Sequence, residues 1–512
     1  MPADIILKNA KVITMDAARP GAEAVAIAGD RIAAVGSDAD LASVVGAGTR
    51  AIDCQGRTVV PGFNDAHLHL FSLVRKLLSL DLGPEVVRSI GDIKEAVRRQ
   101  VKITPPGTWI SGSGFNEFYL AERRFPTRRD IDEVSPDHPV ILSHRSLHAG
   151  VLNSLALSLA GIGRETPEPP GARIERDLDT GEPNGIIYEM LGSIREKVMP
   201  PFSEAELDEG IALANRQFLA YGITSFQEAT VSNDLGRWQA VKGFKESGKL
   251  LSRVCMMAGA PSLGQFRETG LWAGSGTSHL RLGAVKVMPE RAGAVLPKEE
   301  LDRLVLDLHR SGFQVACHAI TEGTVAAAVS TLEYVNERDP VAGRRHRIEH
   351  CGECPPYLLG RLKRLGVVIV TQPPFIYYSG ERYLATVPPS QLPCLYRIRA
   401  PLGSGLVVAA SSDAPVVPHN PLVGIYAAVT RRAESGQVLL PEEAISPIQA
   451  LALYTAHAAY ASFEEAVKGT IAPGKLADMV VLSSDPTEVP PERLKDIKVE
   501  MTIIGGEVVW EA

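Results

Sequence analysis

Four polar residues, each closing a short apolar run, fall at nearly regular intervals along the second half of this chain. Lys286 ends Leu282-Gly-Ala-Val-Lys286, His318 ends Phe313-Gln-Val-Ala-Cys-His318, His350 ends Arg347-Ile-Glu-His350, and Asp413 ends Leu406-Val-Val-Ala-Ala-Ser-Ser-Asp413. The first two intervals are 32 residues each; the third is 63, two such steps, with Gln372 ending the apolar run 367–372 between them. A repeat of this length accommodates one strand and one returning helix, the unit of a parallel sheet. Three further runs complete the set: 59–70, 222–228 and 253–257. Eight strand–helix units in order indicate an α/β chain folded as a (β/α)8 barrel.

Barrel enzymes place their chemistry at the C-terminal mouths of the strands. The first run ends in Asn64-Asp65-Ala66-His67-Leu68-His69. Side chains alternate along a strand, so His67 and His69 share a face, with Asp65 one step deeper on it. An isolated His-x-His lines a core as readily as it binds metal. Six polar strand ends, His67, His69, Lys286, His318, His350 and Asp413, contributed by the first, fourth, fifth, sixth and eighth strands, point instead to a metal site.

At 512 residues the chain exceeds one compact domain. Residues 1–60 alternate apolar and polar positions around a Gly29-Asp30 turn, and 467–512 hold another strand and a Gly505-Gly506 hairpin. Neither end has strands enough to bury a core alone, so a small β-sandwich built from both termini is expected. Residues 61–84 and 205–466 then form the barrel. The intervening 85–204 are an α/β insertion after the first barrel strand, rich in Pro and Gly, with one clear apolar strand at 139–142 leading to His144, Arg145 and His148. Its expected place is a lid over the barrel mouth.

Composition removes several classes of function. A net charge of −7 with no basic block argues against nucleic acid or anionic membrane as partner. No 18-residue apolar run and no charged-then-apolar leader occur, so neither a membrane span nor secretion is indicated. Six scattered cysteines suit a reduced, cytoplasmic protein. Cys351 and Cys354 form a lone C-x-x-C, a weak metal or redox signal without a second pair. The expected partner is a small-molecule substrate, and self-association into a homodimer stays open.

Taken together, PGFNDAHLHL at 61–70, Lys286, CHAITEG around His318, RIEH at 347–350, SSDAP at 411–415 and GTIAPGKLADMVVL near the C-terminus resemble the amidohydrolase superfamily. More narrowly, with PTRRDIDEVSPDHPVIL, HAGVLNSLAL and TGEPNGIIYE, they resemble its YtcJ-like branch (amidohydrolase family 3), which includes N-substituted formamide deformylase. Asn64 stands where an aliphatic residue is usual. The resemblance implies that His67, His69, His318 and His350 bind one or two divalent metal ions, Zn²⁺ suiting imidazole. A protonated Lys286 would repel a cation. It is therefore either a carbamate bridging two metals, as the family implies, or an ordinary lysine held off by an acid; in the second case Glu228 becomes an extra candidate ligand or substrate contact. Asp413 would contact metal weakly and take the proton of the attacking water, unless it only shapes a turn. His148, with Arg145, would polarise a substrate carbonyl or stay a solvated loop residue. Tyr377, Tyr378 and Arg382 follow the seventh strand and serve either substrate or packing.

Zn²⁺ lowers the pKa of bound water from about 15.7 to about 7, so this ligand set fits hydrolysis of a C–N bond, most simply an amide of the N-acyl or N-formyl type. A deaminase would use the same water on a C–NH₂ carbon and stays open. A non-catalytic barrel scaffold would be expected to have lost ligands, and this chain retains them.

Overall fold

The computed structural model describes residues 2–291 and 294–512. Its central sheet has eight parallel strands: Phe63–Leu68, Ile223–Glu228, Arg253–Gly259, Leu280–Val287, Val315–Ala319, Arg347–His350, Val368–Thr371 and Val407–Ala410, each hydrogen-bonded to the next. Helices such as Leu235–Glu246, Lys298–Arg310, Glu322–Arg338 and Pro356–Arg364 return the chain between strands, giving the (β/α)8 barrel.

The first and eighth strands meet at a seam that lacks a regular ladder. Asp413 N donates to His67 O at 2.9 Å, and His69 N donates to Ala414 O at 2.8 Å. The Asp65 carboxylate accepts the N–H groups of His67 and Ser412, both at 3.1 Å, binding one strand to the other. Asp65 is therefore a clasp for the seam. Burial pushes its carboxyl up to about 7, against the lowering effect of these bonds.

A buried polar network runs among the barrel strands. Arg347 donates to Glu349 Oε1 at 2.6 Å and Oε2 at 3.0 Å, to Ala66 O at 2.8 Å and to Gln227 Oε1. Gln227 in turn donates to Ala458 O at 2.9 Å, and Gln314 to Ala461 O at 3.0 Å, so the helix Ala456–Ala461 is tied to the barrel by these amides. Arg347, Glu349 and Gln227 are all buried. A charge removed from water is tolerated only when its partners are complete, and here the guanidinium has four acceptor atoms.

The two chain ends share one six-stranded sheet, in which Thr58–Pro61 pairs with Met479–Leu482. A four-stranded sheet from residues 5–53 faces it, and side chains from both (Leu7, Val25 and Ile27; Val59, Met479 and Ile503) form one core. Arg253 on the third barrel strand grips Asp478 with two bonds, 2.7 and 3.0 Å, both side chains buried.

Leu70–Ala214 and Glu290–Leu296 make a second compact unit. It holds a six-stranded sheet in the order Arg173–Arg176, Pro183–Tyr188, Ala149–Leu152, Val140–His144, Ile110–Phe115 and Leu80–Asp81. Side chains alternate between two cores, Val140 and Leu142 in one and Ile141 in the other, so the sheet is covered on both faces. The sequence showed one of these strands clearly. Glycine interrupts three of the others, Ile110–Phe115, Ala149–Leu152 and Pro183–Tyr188: a Cβ on Gly112 would meet the Leu82 side chain at 2.6 Å and Leu142 at 2.9 Å. Packing demands a residue that β-propensity disfavours. No helix among the described residues is long and apolar enough to cross a membrane.

Candidate metal centre

The strand ends bring His67, His69, Lys286, His318, His350 and Asp413 together. The ring centroids of His67 lie 5.3 Å from His69 and 4.9 Å from His350, and His350 lies 4.5 Å from His318. Lys286 Nζ is 3.4 Å from His67 Nε2. Asp413 Oδ1 is 3.1 Å from His69 Nε2 and 3.6 Å from His67 Nε2, while Oδ2 is 4.0 Å from His350 Nδ1.

Local backbone geometry does part of this work. Strict alternation would send Glu349 and His350 to opposite faces. His350 instead adopts φ 72°, and Asp413 φ 57°. Both are left-handed values that a non-glycine residue holds only at about 1–3 kcal/mol. With that turn, Glu349 reaches His67 while His350 reaches His318, and both belong to one cluster.

Hydrogen bonds fix which nitrogen each imidazole presents. His67 Nδ1 donates to the Glu349 carboxylate, which can only accept, and His350 Nδ1 donates to Gln372 Oε1 at 2.9 Å. Gln372 is oriented in turn by its donation to Ser411 Oγ at 3.0 Å. His69 Nδ1 sits 2.9 Å from Thr230 Oγ1. Burial first, and then the Lys286 charge, hold His67 well below its ordinary pKa; burial likewise lowers His350. Nε2 of His67 and His350 therefore carries a lone pair. Metal-binding histidines are commonly oriented in this manner by an outer partner on the other nitrogen.

The lone pairs converge on one another, which suits a cation. Ligand atoms of His67, His69 and Asp413 all lie within 4.8 Å of each other. Asp413 Oδ1 is buried and meets no donor at a hydrogen-bonding angle, even with His69 Nε2 at 3.1 Å. Burial opposes the charge on Asp413, but His69, His350 and His67 hold its carboxyl well below the usual carboxylate range. His350 Nε2 faces His318 Nδ1 at 3.0 Å. Lys286 is 2% exposed, and burial lowers its pKa to about 8, which brings the neutral, nucleophilic amine within reach near neutral pH.

The remaining expected residues occupy other surroundings. Glu228 Oε1 accepts from Thr230 N at 3.0 Å and Asn233 Nδ2 at 3.3 Å, which shapes the turn carrying Thr230 beneath His69. Tyr377 and Tyr378 pack edge to face at 4.9 Å, and Tyr377 also meets Tyr426 at 5.7 Å. The Arg382 guanidinium lies over Tyr383 at 4.8 Å. Arg145 and His148 belong to the second unit, where His148 Nδ1 pairs with Glu189 at 3.0 Å on an exposed surface. Both side-chain polar atoms of buried Asn64 lack a hydrogen bond. All six cysteines are free. Sequence reasoning overlooked Glu349, Arg347, Gln372 and Thr230 as supports of the histidines. The signal available was Arg-x-Glu at alternate positions of an apolar strand, a charge pair with nowhere to go but the barrel interior.

The barrel and its converging donors define a metal-dependent hydrolase. The chain belongs to the amidohydrolase family, which it matches over residues 50–510, and within it to the YtcJ-like branch. N-substituted formamide deformylase of Arthrobacter pascens is 29% identical over 99% of this chain and 98% of its own length. YtcJ of Bacillus subtilis is 28% identical over 90% of this chain and 91% of its own. Among solved structures, a metal-dependent hydrolase from Pyrococcus furiosus superposes with a TM-score of 0.73 at 26% identity, covering 94% of this chain and 100% of its own.

Proposed function

We propose that this protein hydrolyses the C–N bond of a small amide, of the N-acyl or N-formyl type, with one or two divalent cations, Zn²⁺ first among them, held by His67, His69, Lys286, His318, His350 and Asp413. The observation that carries the reading is the convergence of His67, His69 and Asp413, whose Oδ1 is buried and without a hydrogen bond. The near full-length similarity to a formamide deformylase supports the choice of amide.

When bound, the cation would supply Lewis acidity and lower the pKa of water at the site. The chain's own groups do the rest. Glu349 and Gln372 keep the tautomers of His67 and His350 that leave Nε2 free. Asp413 accepts the proton of the attacking water and returns it to the leaving amine. Lys286 acts as its carbamate, formed when the neutral amine adds CO₂ and releases a proton to solvent, turning a repelling cation into a carboxylate-like anion. Tyr377, Tyr378 and Arg382, with Glu228, and Arg145 and His148 of the second unit, are proposed to serve substrate binding.

The test combines metal analysis with product identification. Purified protein is expected to carry one to two equivalents of divalent metal, to lose activity to a chelator and to regain it with Zn²⁺. A panel of N-formyl, N-acyl and carbamoyl compounds, read by mass spectrometry, should yield an amine together with a carboxylic acid, or with carbon dioxide from the carbamoyl compounds. Full turnover by metal-free protein would end this reading, and ammonia released from a C–NH₂ carbon would transfer it to a deaminase.

Lys286→Ala is expected to lose activity and to regain part of it with millimolar acetate or propionate, which can occupy the carbamate's place. The absence of rescue, together with an unmodified ammonium in an experimental density map, would count against the carbamate.

A further inference from the structure

The barrel has a concavity at the strand ends opposite the histidines. It measures about 250 Å³, and its lining includes Arg281, Gln314, Val341, Arg344 and Phe463. Arg281 lies at the start of the strand whose far end carries Lys286; Gln314 and Arg344 precede the strands that end at His318 and His350.

Among the described residues no carboxylate forms an ion pair with either of its guanidiniums. Arg281 donates to Ser462 O and Arg344 to Gly312 O at 3.0 Å, both main-chain carbonyls. Arg344 Nε is buried with no hydrogen bond. Carboxylates adjoining in sequence are engaged elsewhere: Glu464 with Lys468 at 2.9 Å, Glu465 with Arg345 at 2.7 Å and Asp339 with Arg310 at 3.7 Å. Gly274, at φ +85°, keeps the space beside one guanidinium open, since a Cβ there would stand 3.2 Å from Arg281. The wall is apolar and open to solvent: Val341 is 39% exposed and Phe463 38%.

Two guanidiniums bonded only to carbonyls, sharing a cavity with an exposed apolar wall, match an oxyanion on a compact apolar body. We propose that this floor cavity binds a small organic anion, a carboxylate or phosphate ester, with Arg281 and Arg344 on its charged end and Phe463 and Val341 against its body. The site is independent of the metal centre and of the reaction assigned to it.

Anions also bind metal ions, so the experiment has to locate the binding. Hydrogen–deuterium exchange on the metal-loaded enzyme, with phenyl phosphate, benzoate, inorganic phosphate or benzyl alcohol, is expected to show protection of 273–283, 341–346 and 462–464 by phenyl phosphate or benzoate. The stronger of the two names the ligand class, and benzyl alcohol should protect nothing. By calorimetry, Arg344→Gln and Arg281→Gln should each weaken binding at least tenfold with metal content and basal kcat unchanged. Protection confined to the histidine-bearing strand ends, or unchanged affinity in folded Arg344→Gln protein, overturns the proposal. Inorganic phosphate binding as tightly as phenyl phosphate removes the apolar wall from it. If Arg281→Gln does not fold, Arg344→Gln and the exchange map decide.

Discussion

Asp413→Asn is expected to fold, to keep at least about half its metal and to lose at least about a hundredfold in kcat, within the range of 10²–10⁴ that general acid–base help supplies. The asparagine keeps the shape and one carbonyl oxygen in place of Oδ1, so the contacts near His67 and His69 lose a charge but not a donor atom. Four imidazoles still supply most of the metal's binding energy. What the amide cannot do is hold a proton at neutral pH. The attacking water must shed one, and the leaving amine must gain one or depart as a poor anion. In the proposed transfer Asp413 starts in the ionised form, which its neighbours favour. If kcat stays within about fivefold while metal is retained, Asp413 is not the shuttle, and Glu228 or His148 becomes the next group to test.

The second large effect is on stability. Arg347→Met should lower the free energy of unfolding of the barrel by about 3–5 kcal/mol, the usual consequence of removing one partner of a buried ion pair. Methionine fills much of the volume but leaves Glu349 charged and dry, and orphans Gln227 Oε1 and Ala66 O. Adding Glu349→Gln should recover a good part of that loss, because no uncompensated charge then remains. It should not restore metal affinity, expected to fall about 10–100-fold when the outer partner of a ligating histidine is weakened. Denaturant titration and metal competition on the single and double variants separate the two roles. A wild-type unfolding midpoint in Arg347→Met would show that the network carries no stability.

Much of the barrel was legible because its sequence signals are strong and periodic. An apolar run with a polar end, recurring at strand–helix spacing and twice at 32 residues, says both where strands lie and which end holds the chemistry. The same logic singled out six residues that the fold brings together. The supports were less legible, because a residue's duty there depends on its neighbour across the sheet. Glu349 could be read only as half of RIEH until the fold placed it against His67 Nδ1, 282 positions away in sequence. Asp65 has the spacing of a ligand, yet the seam places two main-chain N–H groups beside its carboxylate. In the second unit the difficulty was compositional: strands such as Ile110–Phe115 carry glycines required by close packing, and periodicity cannot be read through them.

The seam has a consequence for how the protein matures. Asp65 and Ser412 are 347 residues apart in sequence, and the proposed ligands His67, His69 and Asp413 straddle the same junction. During synthesis His67 and His69 emerge first, and Lys286, His318 and His350 follow before Asp413 completes the proposed ligand set. The seam itself can close only when the eighth strand docks. Any ion captured then favours the docked over the undocked chain by its binding free energy. On the proposed ligand set a cation would thus steady the closed cylinder as well as serve the reaction, and metal-depleted protein is expected to unfold at lower denaturant than the loaded enzyme.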